Sequence, residues 1–401
     1  MESSSTQVQV TSDMLFEILS RSSFKTLATC RLLSKDCNRL TYESSFLNLH
    51  SQRTNNLLGF FLQTMRGSKT PASFFSYENP NFHISLDFLL SPSPSVMIKA
   101  SSLQGILVCI EDKMIPRYYV CKPTTKEWER IPNPKTKYFT ESIAIKVLKS
   151  KPLHYKIVRL SQPKLRFFGK YNCLRCEIFD SMVSNRRQIE QVKLSCDDQI
   201  YSWIPAISVC GKFHWMTIKK NILAFDVDDE KYDLFLFPFT NRYDNVRLTD
   251  YEGKLGVIGK ADGFFDLWVM EIYKKKEWRK RMRVSVEKEE MHTCYPIGFC
   301  NADVALVAGY YNLFWLKFKN GNEIQKVRLD NRFMHQGVFP FRSDFELCDL
   351  KNEVRRNKAK PREECMNYVH IYSSVSCTLV VMLVLLFYGL FCFRLIDSIF
   401  S

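Results

Sequence analysis

The apolar positions of residues 10–50 recur at helical spacing. Each set falls on one helical face, so the pattern predicts three short helices. The three sets are Met14, Leu15, Ile18 and Leu19; Leu27 and Cys30; and Leu33, Cys37 and Leu40. Ser12 or Asp13 suits the N-cap of the first helix. Because three short helices bury little surface by themselves, we expect their apolar stripe to meet a partner.

From about residue 57 to residue 350 the pattern changes to short apolar, β-branched and aromatic runs separated by turn residues, which predicts an all-β domain. Five segments read as a strand, a charged turn and a returning strand. They end at Trp128, Gln188, Tyr232, Trp278 and Ile324, which are 60, 44, 46 and 46 residues apart. A unit of this size matches a four-stranded propeller blade. The longer first interval also contains a strand candidate at residues 155–160.

A third pattern follows a basic linker at residues 351–364. The window from Cys365 to Phe393 contains no Asp, Glu, Lys or Arg, and residues 375–393 are long enough to cross the roughly 30 Å hydrocarbon core of a bilayer. Because basic residues dominate the linker, the positive-inside rule predicts a tail anchor with the N-terminal bulk in the cytosol. The alternatives are an apolar helix docked on the β domain and a chain end without a selected role.

These patterns predict an α+β multidomain chain. A small all-α domain occupies residues 1–50, and an all-β propeller-like domain occupies residues 51–350. The linker at 351–364 then leads to a candidate transmembrane tail at 365–401, a C-terminal hydrophobic helix whose span lies at about 375–393.

Charge and cysteine content narrow the location and the partners. The net charge of +15 has its densest cluster at 274–283, where basic and apolar residues alternate as in a solvated hairpin. No nucleic-acid-binding module accompanies it, so we expect no nucleic-acid partner. The 14 cysteines are scattered through apolar segments, and the first twenty residues lack a signal-peptide core. We therefore expect reduced thiols and a soluble body in the cytoplasm or nucleus.

The candidate metal and phosphate sites are weak. Cys173 and Cys176 have the spacing of a zinc half-site, but no second close pair follows them. The glycines at 253, 256 and 259 before Lys260 do not have the spacing of a phosphate-binding loop.

The pair His214 and Trp215 is typical of a buried core rather than of a catalytic site. No hydrolase or metalloprotease motif is present in the sequence. We expect no catalytic, metal-binding or cofactor-binding residues, and no cofactor.

Residues 10–37, VTSDMLFEILSRSSFKTLATCRLLSKDC, resemble the plant F-box pattern LPxDLLxEILSRLPxKSLLRxRxVSKxW. The matching residues are Asp13, Leu15, Glu17, Ile18, Leu19, Ser20, Arg21, Lys25, Leu27, Arg31, Ser34 and Lys35. Both Leu-Pro pairs are replaced, and Cys37 stands at the tryptophan position. Later segments, from SSLQGILVC to FPFRSDFE, resemble in order the F-box-associated domain of the same family, which is described as kelch-like or propeller-like.

The resemblance implies a non-catalytic substrate-recognition subunit of an SCF-type E3 ubiquitin ligase. Its partners would be a Skp-family adaptor, through it a cullin-based ligase, and a protein substrate that the sequence does not identify. The implied adaptor-binding residues are Val10, Met14, Leu15, Ile18, Leu19, Leu27, Leu33 and Cys37. If the tail inserts into a membrane, the ligase would act at a membrane surface.

Two alternatives stay open at this point. One is a membrane-tethered propeller scaffold whose degenerate F-box does not engage the ligase, and the other is a propeller that binds a sugar or small ligand.

Within the propeller, we expect Trp128, Tyr232 and Trp278 to pack between blades. The segments Lys135–Thr140 and Asn241–Val246 are candidate specificity loops.

Overall fold

A computed structural model describes residues 11–350, except 23, 44, 47–48, 51–56, 65–71, 77–82, 90–95, 112–115, 137, 163–170, 240–242, 244, 262, 286–290, 292, 321, 330–334 and 343–349. The chain divides into the units Met1–Lys351 and Asn352–Ser401, and the described residues all belong to the first. The predicted linker and tail lie outside the described residues. Within the described ranges, no helix has both the length and the apolar character needed to cross a membrane.

Three helices form where the helical spacing predicts them: α1 (Ser12–Leu19), α2 (Phe24–Leu33) and α3 (Lys35–Thr41). The cap of α1 is Thr11, not Ser12 or Asp13, because the Thr11 hydroxyl accepts a hydrogen bond from the Met14 amide. Ser34 caps α3 in the same way, by accepting from the Cys37 amide at 3.3 Å. We call residues 11–50, as far as they are described, the helical segment.

Among the described residues, 24 strands follow, and they form six antiparallel sheets. The first two strands are β1 (Leu57–Thr64) and β2 (Ala72–Ser76). Blade 1 contains β3 (Val96–Ser101), β4 (Leu107–Glu111), β5 (Arg117–Lys122) and β6 (Glu127–Ile131). Blade 2 contains β7 (Phe139–Ser150), β8 (Leu153–Gln162), β9 (Tyr171–Asp180), β10 (Asn185–Gln188) and β11 (Val192–Ser195). Blade 3 contains β12 (Ile207–Val209), β13 (Lys212–Met216), β14 (Asn221–Asp226) and β15 (Lys231–Leu236).

Blade 4 contains β16 (Asn245–Tyr251), β17 (Lys254–Ala261), β18 (Phe264–Ile272) and β19 (Glu277–Ser285). Blade 5 contains β20 (Tyr295–Phe299), β21 (Val304–Ala308), β22 (Asn312–Lys317) and β23 (Asn322–Arg328). The last strand, β24 (His335–Arg342), pairs with β1, and β1 pairs with β2. Blade 6 therefore joins the two ends of the β domain, which closes the ring of blades.

Six apolar clusters fill the junctions between neighbouring blades, and each draws buried side chains from two of them. In the junction of blades 2 and 3, Trp215 is 1% exposed and donates its indole N–H to the Ser142 hydroxyl at 2.8 Å. In the junction of blades 6 and 1, Phe341 packs against Phe61 and Phe74. Because all six junctions are filled, the sheets form a closed six-bladed β-propeller.

The repeating hairpins predicted from the sequence are the two outermost strands of blades 1 to 5. Four of their turns contain a residue in the left-handed region, at Lys126, Ser184, Glu230 and Lys276. Such a residue lets a short turn reverse the chain with the twist that the strands require. The strand candidate at 155–160 lies inside β8. The wider spacing before Gln188 reflects the long strands β7, β8 and β9, together with residues 163–170.

The repeated aromatic residues take different places. Tyr232 and Trp278 are partly buried against the clusters of two blade junctions, as expected. Trp128 departs from the prediction: it is 39% exposed and contacts Tyr119 of its own blade, with ring centroids 5.7 Å apart. Trp128 lies on the edge strand of its sheet and packs on Tyr119 of the adjacent strand, so it is not inserted into a junction.

The direction of the strands defines two ends of the propeller. In blades 1 to 5 the innermost strand comes first, and successive strands of a blade run in opposite directions. The turn between the second and third strands therefore lies at the end where the innermost strand begins. We call this end the loop face, since the connections between blades also lie there. The opposite end, which carries the turn between β7 and β8, is the turn face.

Candidate functional site

The predicted adaptor-binding residues of the helical segment separate into an exposed and a buried group. Met14, Ile18 and Leu33 are 49%, 57% and 80% exposed. Leu19, Leu27 and Cys37 are buried and form the core of the segment with Phe46, while Leu15 packs against that core partly buried. Val10 lies outside the described residues. The three core residues have almost no accessible surface, so their observed role is to hold the helices together.

Leu32 is an exposed residue that the helical pattern does not indicate. Leu32 is 89% exposed beside Leu33 at the end of α2. The helical spacing assigned only one of two adjacent leucines to the apolar stripe, although both are accessible. Among the described residues of the helical segment, four large apolar side chains are exposed, and we call Met14, Ile18, Leu32 and Leu33 the apolar helical surface.

The helical segment contacts the turn face of the propeller at blade 2. The Lys151 ammonium lies 3.0 Å from the Tyr42 hydroxyl and 4.6 Å from the centre of the Tyr42 ring. The Arg31 guanidinium stacks on the same ring at 4.1 Å. Glu43 also forms an isolated antiparallel bridge with Lys149. These contacts orient the helical segment against the turn between β7 and β8.

The loop face carries exposed aromatic side chains from several blades. They are Tyr138, Phe139, Trp203, Tyr310 and Tyr311, whose exposed fractions run from 37% to 55%. Tyr138 and Trp203 lie in connections between blades, Phe139 is the first residue of β7, and the two adjacent tyrosines lie in the turn between β21 and β22. Exposed aromatic residues are enriched where proteins bind other proteins, because they supply large contact areas.

A buried ion pair holds the segment Lys135–Thr140 in place. Arg159 is 1% exposed and forms a salt bridge with Glu177 at 2.5 Å. Its guanidinium also donates to the Tyr138 carbonyl oxygen at 2.6 Å and to the Thr140 hydroxyl at 2.8 Å. Because one guanidinium fixes two points of this candidate loop, Tyr138 and Phe139 project from a well-supported backbone.

The described part of the second candidate loop, Asn241–Val246, is mainly packed. Tyr243 is 3% exposed, and its hydroxyl donates to Asp266 at 2.6 Å. Its ring lies so close to Gly259 that a Cβ there would come within 2.6 Å of it. Gly259 therefore permits close packing against a tyrosine.

A pocket with about 1030 Å³ of empty space, including its open mouth, lies between the innermost strands at the centre of the ring. Arg247 and Tyr295 lie toward the loop face, because each is near the start of its strand. Asp250 and Arg342 lie toward the turn face. Most of the other lining residues are apolar, and they include Phe60, Ile204, Val338 and Phe299. We call this pocket the central channel.

Burial perturbs the charged groups of the central channel. It raises the pKa of Asp250, while the nearby charge of Arg342 acts in the opposite sense. Burial lowers the pKa of Arg342, and Asp250 opposes that shift. Burial also lowers the pKa of Arg247, but there the opposing groups are Tyr295 and Tyr201. Asp250 and Arg342 therefore compensate each other, whereas Arg247 has no such carboxylate among the described residues.

His214 and the basic hairpin of blade 4 take part in hydrogen bonds and ion pairs within the fold. His214 is buried, and its Nε2 lies 2.6 Å from the Tyr273 hydroxyl. In the basic hairpin of blade 4, Lys280 and Arg283 both pair with Asp266. Cys176 is buried and Cys173 is exposed, and no group of three metal-ligating side chains converges among the described residues.

Comparison with known proteins agrees with this architecture. Residues 58–302 match the family model "F-box associated beta propeller domain". The chain is 39% identical to F-box protein At5g41720 of Arabidopsis thaliana over 180 residues, which cover 42% of this chain and 95% of that protein. It is 26% identical to F-box protein At5g49610 of the same plant over 288 residues, covering 66% of this chain and 76% of the relative. The chain therefore belongs to the plant F-box proteins that carry an F-box associated beta-propeller domain.

Proposed function

We propose that this protein is the substrate-recognition subunit of an SCF-type E3 ubiquitin ligase. The observation that carries the proposal is the apolar helical surface, which lies on a segment anchored to the propeller of an F-box family member. The helices would bind a Skp-family adaptor and, through it, a cullin-based ligase. The propeller would bind the protein to be ubiquitinated, and the chain itself would contribute no catalytic group.

The exposed apolar side chains support the adaptor contact. Burying one large aliphatic side chain contributes about 1.5–3 kcal/mol, so Met14, Ile18, Leu32 and Leu33 offer a substantial driving force for association. Leu15, Leu19, Leu27 and Cys37 would act indirectly, by holding the helices in the geometry that presents those side chains.

The positions of the two surfaces support a division of labour. The helical segment contacts the turn face at Lys151, whereas the exposed aromatic residues lie at the loop face. A target bound to the loop face would be carried on the opposite end of the propeller from the adaptor. Holding the target near a ubiquitin-charged enzyme raises its effective concentration without any catalysis by this chain.

The adaptor contact is tested by titrating the full-length chain with a purified Skp-type adaptor. Ile18→Asp places a charge on the exposed surface and should weaken binding at least about tenfold, because a buried unpaired carboxylate is costly. The matched control is Val183→Asp, which makes the same change at a 69% exposed site on the propeller. Equal affinities of both variants and the unmodified protein would contradict the proposal.

We also propose that the tail at 365–401 anchors the chain in a membrane with the propeller in the cytosol. Its support is the uncharged stretch from Cys365 to Phe393 behind a basic linker. The full-length chain should sediment with membranes after carbonate washing, and a chain ending at Leu350 should stay in the supernatant. Release of the full-length chain by carbonate would contradict insertion.

A further inference from the structure

Arg247 stands out among the charged groups of the central channel. Its guanidinium donates to the Val246 carbonyl oxygen at 3.0 Å and lies 5.6 Å from the centre of the Tyr295 ring. Within the part of the chain that the structure describes, the Val246 carbonyl is its only hydrogen-bond acceptor, and no carboxylate pairs with it. An arginine carries five N–H donors, so most of its hydrogen-bonding capacity is unused by the described residues.

An unpaired charge in such a place is costly. Arg247 is partly buried, and the removal of a guanidinium from water is offset in most proteins by a carboxylate or by several hydrogen bonds. The described lining of the channel has three charged side chains, and Asp250 and Arg342 compensate each other. The positive charge of Arg247, at the loop-face end of the channel, is therefore not compensated by a charged side chain of the described lining.

The surroundings of Arg247 define the ligand that would match it. A planar guanidinium binds a carboxylate through two parallel hydrogen bonds. Phe60, Ile204 and Tyr295 line the same channel and favour an apolar or aromatic body. Asp250, three residues or about 10 Å along the strand from Arg247, already opposes the charge of Arg342. The described lining therefore offers one cation without a carboxylate, which suits a monoanion better than a dianion.

We propose that the central channel is a binding site for a small organic carboxylic acid with an apolar body, whose carboxylate pairs with Arg247. The channel is a concave site with a mainly apolar lining and a few polar groups, which is typical of small-molecule sites. The site lies beneath the loop face, beside the exposed Trp203, so an occupied channel would change the surface that a target meets.

The test uses phenylacetate as the probe, titrated into the full-length chain and followed by ligand-observed NMR. Phenylacetate should bind, and benzyl alcohol, which has the same ring without the charge, should bind at least about tenfold more weakly. Phenyl phosphate should bind more weakly than phenylacetate. Benzyl alcohol or phenyl phosphate binding as tightly as phenylacetate, or no binding of phenylacetate, would overturn the proposal.

Two variants and one control test whether the probe binds in the central channel. Arg247→Gln should weaken phenylacetate binding about tenfold or more, while Arg279→Gln, which removes an exposed arginine from the outermost strand of the same blade, should leave it unchanged. Gly298→Leu narrows the channel and keeps arginine at position 247. A Cβ at Gly298 would have its nearest neighbour at 3.6 Å, an ordinary contact distance, so the backbone accepts the start of a side chain there. It too should weaken binding.

Folding of each variant is checked by its melting temperature. Arg247→Gln should be at least as stable as the unmodified protein without ligand, because it removes an uncompensated charge. If Arg247→Gln and Arg279→Gln bind the probe equally, the assignment of Arg247 is wrong. The readout does not involve the adaptor, so failure of the ligase proposal and failure of the ligand site are distinguishable.

Discussion

Lys151 of the propeller and Tyr42 of the helical segment are in direct contact, with the ammonium 3.0 Å from the phenol oxygen and 4.6 Å from the ring centre. Arg31 stacks on the same ring at 4.1 Å. The tyrosine therefore lies between two cations that come from different parts of the fold. In a receptor that must hold a target at a set distance from a ligase, such a contact would limit the relative motion of the two parts.

Tyr42→Ala is expected to loosen the helical segment. It removes both cation–π contacts, each of about 0.5–1 kcal/mol at a partly exposed site, together with the hydrogen bond to Lys151. Amide hydrogen exchange in α3 should become roughly tenfold faster. Tyr42→Phe keeps the ring and should change exchange much less. Unchanged exchange in Tyr42→Ala would show that the contact does not restrain the segment.

Closure of the ring is expected to depend on Phe341. This side chain has no exposed surface and lies 5.1 Å from Phe61 and 6.0 Å from Phe74 between ring centroids. Phe341→Ala should lower the free energy of unfolding by about 3–5 kcal/mol, through lost burial and the cavity that remains. Denaturant titration measures the change. Tyr311→Ala, at a 55% exposed aromatic, serves as the control and should stay within about 0.5 kcal/mol.

The ion pair of Arg159 and Glu177 is expected to behave as a unit. Arg159→Met leaves the 4% exposed Glu177 side chain without its main partner, since Arg175 lies farther away at 3.6 Å. The loss should be about 3–5 kcal/mol. The double variant Arg159→Met/Glu177→Gln should recover part of it, because no buried carboxylate is left uncompensated. A double variant whose loss equals the sum of the single losses would argue against direct coupling.

Stability is expected to fall between about pH 6.5 and pH 4 because of His214. Burial lowers the pKa of this histidine from 6.5 to about 4. In that interval the unfolded chain binds a proton that the folded chain does not, so acidification favours unfolding. The contribution is present above pH 6.5, is lost progressively toward pH 4, and amounts to about 3 kcal/mol at most.

The measurement is the free energy of unfolding at several pH values for the unmodified protein and for His214→Gln. Glutamine does not titrate, so the difference between the two proteins should shrink or reverse as the pH falls through this interval. A constant difference from pH 7 to pH 4 would contradict the assignment of the effect to His214.

Much of the architecture was predictable because it is encoded locally. The outermost hairpins of blades 1 to 5 each combine an apolar strand, a charged turn and a returning strand, and their spacing matches that of the observed sheets. The helices of the helical segment also follow from local spacing. By contrast, the pairing of β1 with β24 joins residues near opposite ends of the β domain, and no periodic pattern indicates it.

The chemistry of the sites depended on tertiary structure. In the sequence, Arg159 and Arg247 are charged residues inside strands, and nothing nearby distinguishes them. Folding brings Glu177 to the first of them and, among the described residues, no carboxylate to the second. Likewise, helical spacing selected Leu19 and Ile18 as equivalent members of one stripe, but packing against Leu27 and Phe46 buries the first and leaves the second exposed.

The sequence by itself determined the order of helices and strands, the size of the repeat and the family resemblance, since these depend on residues close together along the chain. Only the tertiary structure decided that the number of blades is six, which apolar side chains stay exposed, and which charges meet a partner. Those properties depend on contacts between side chains that are distant in sequence. The exposure of each side chain and the pairing of each charge are set by the neighbours that surround it in the folded protein.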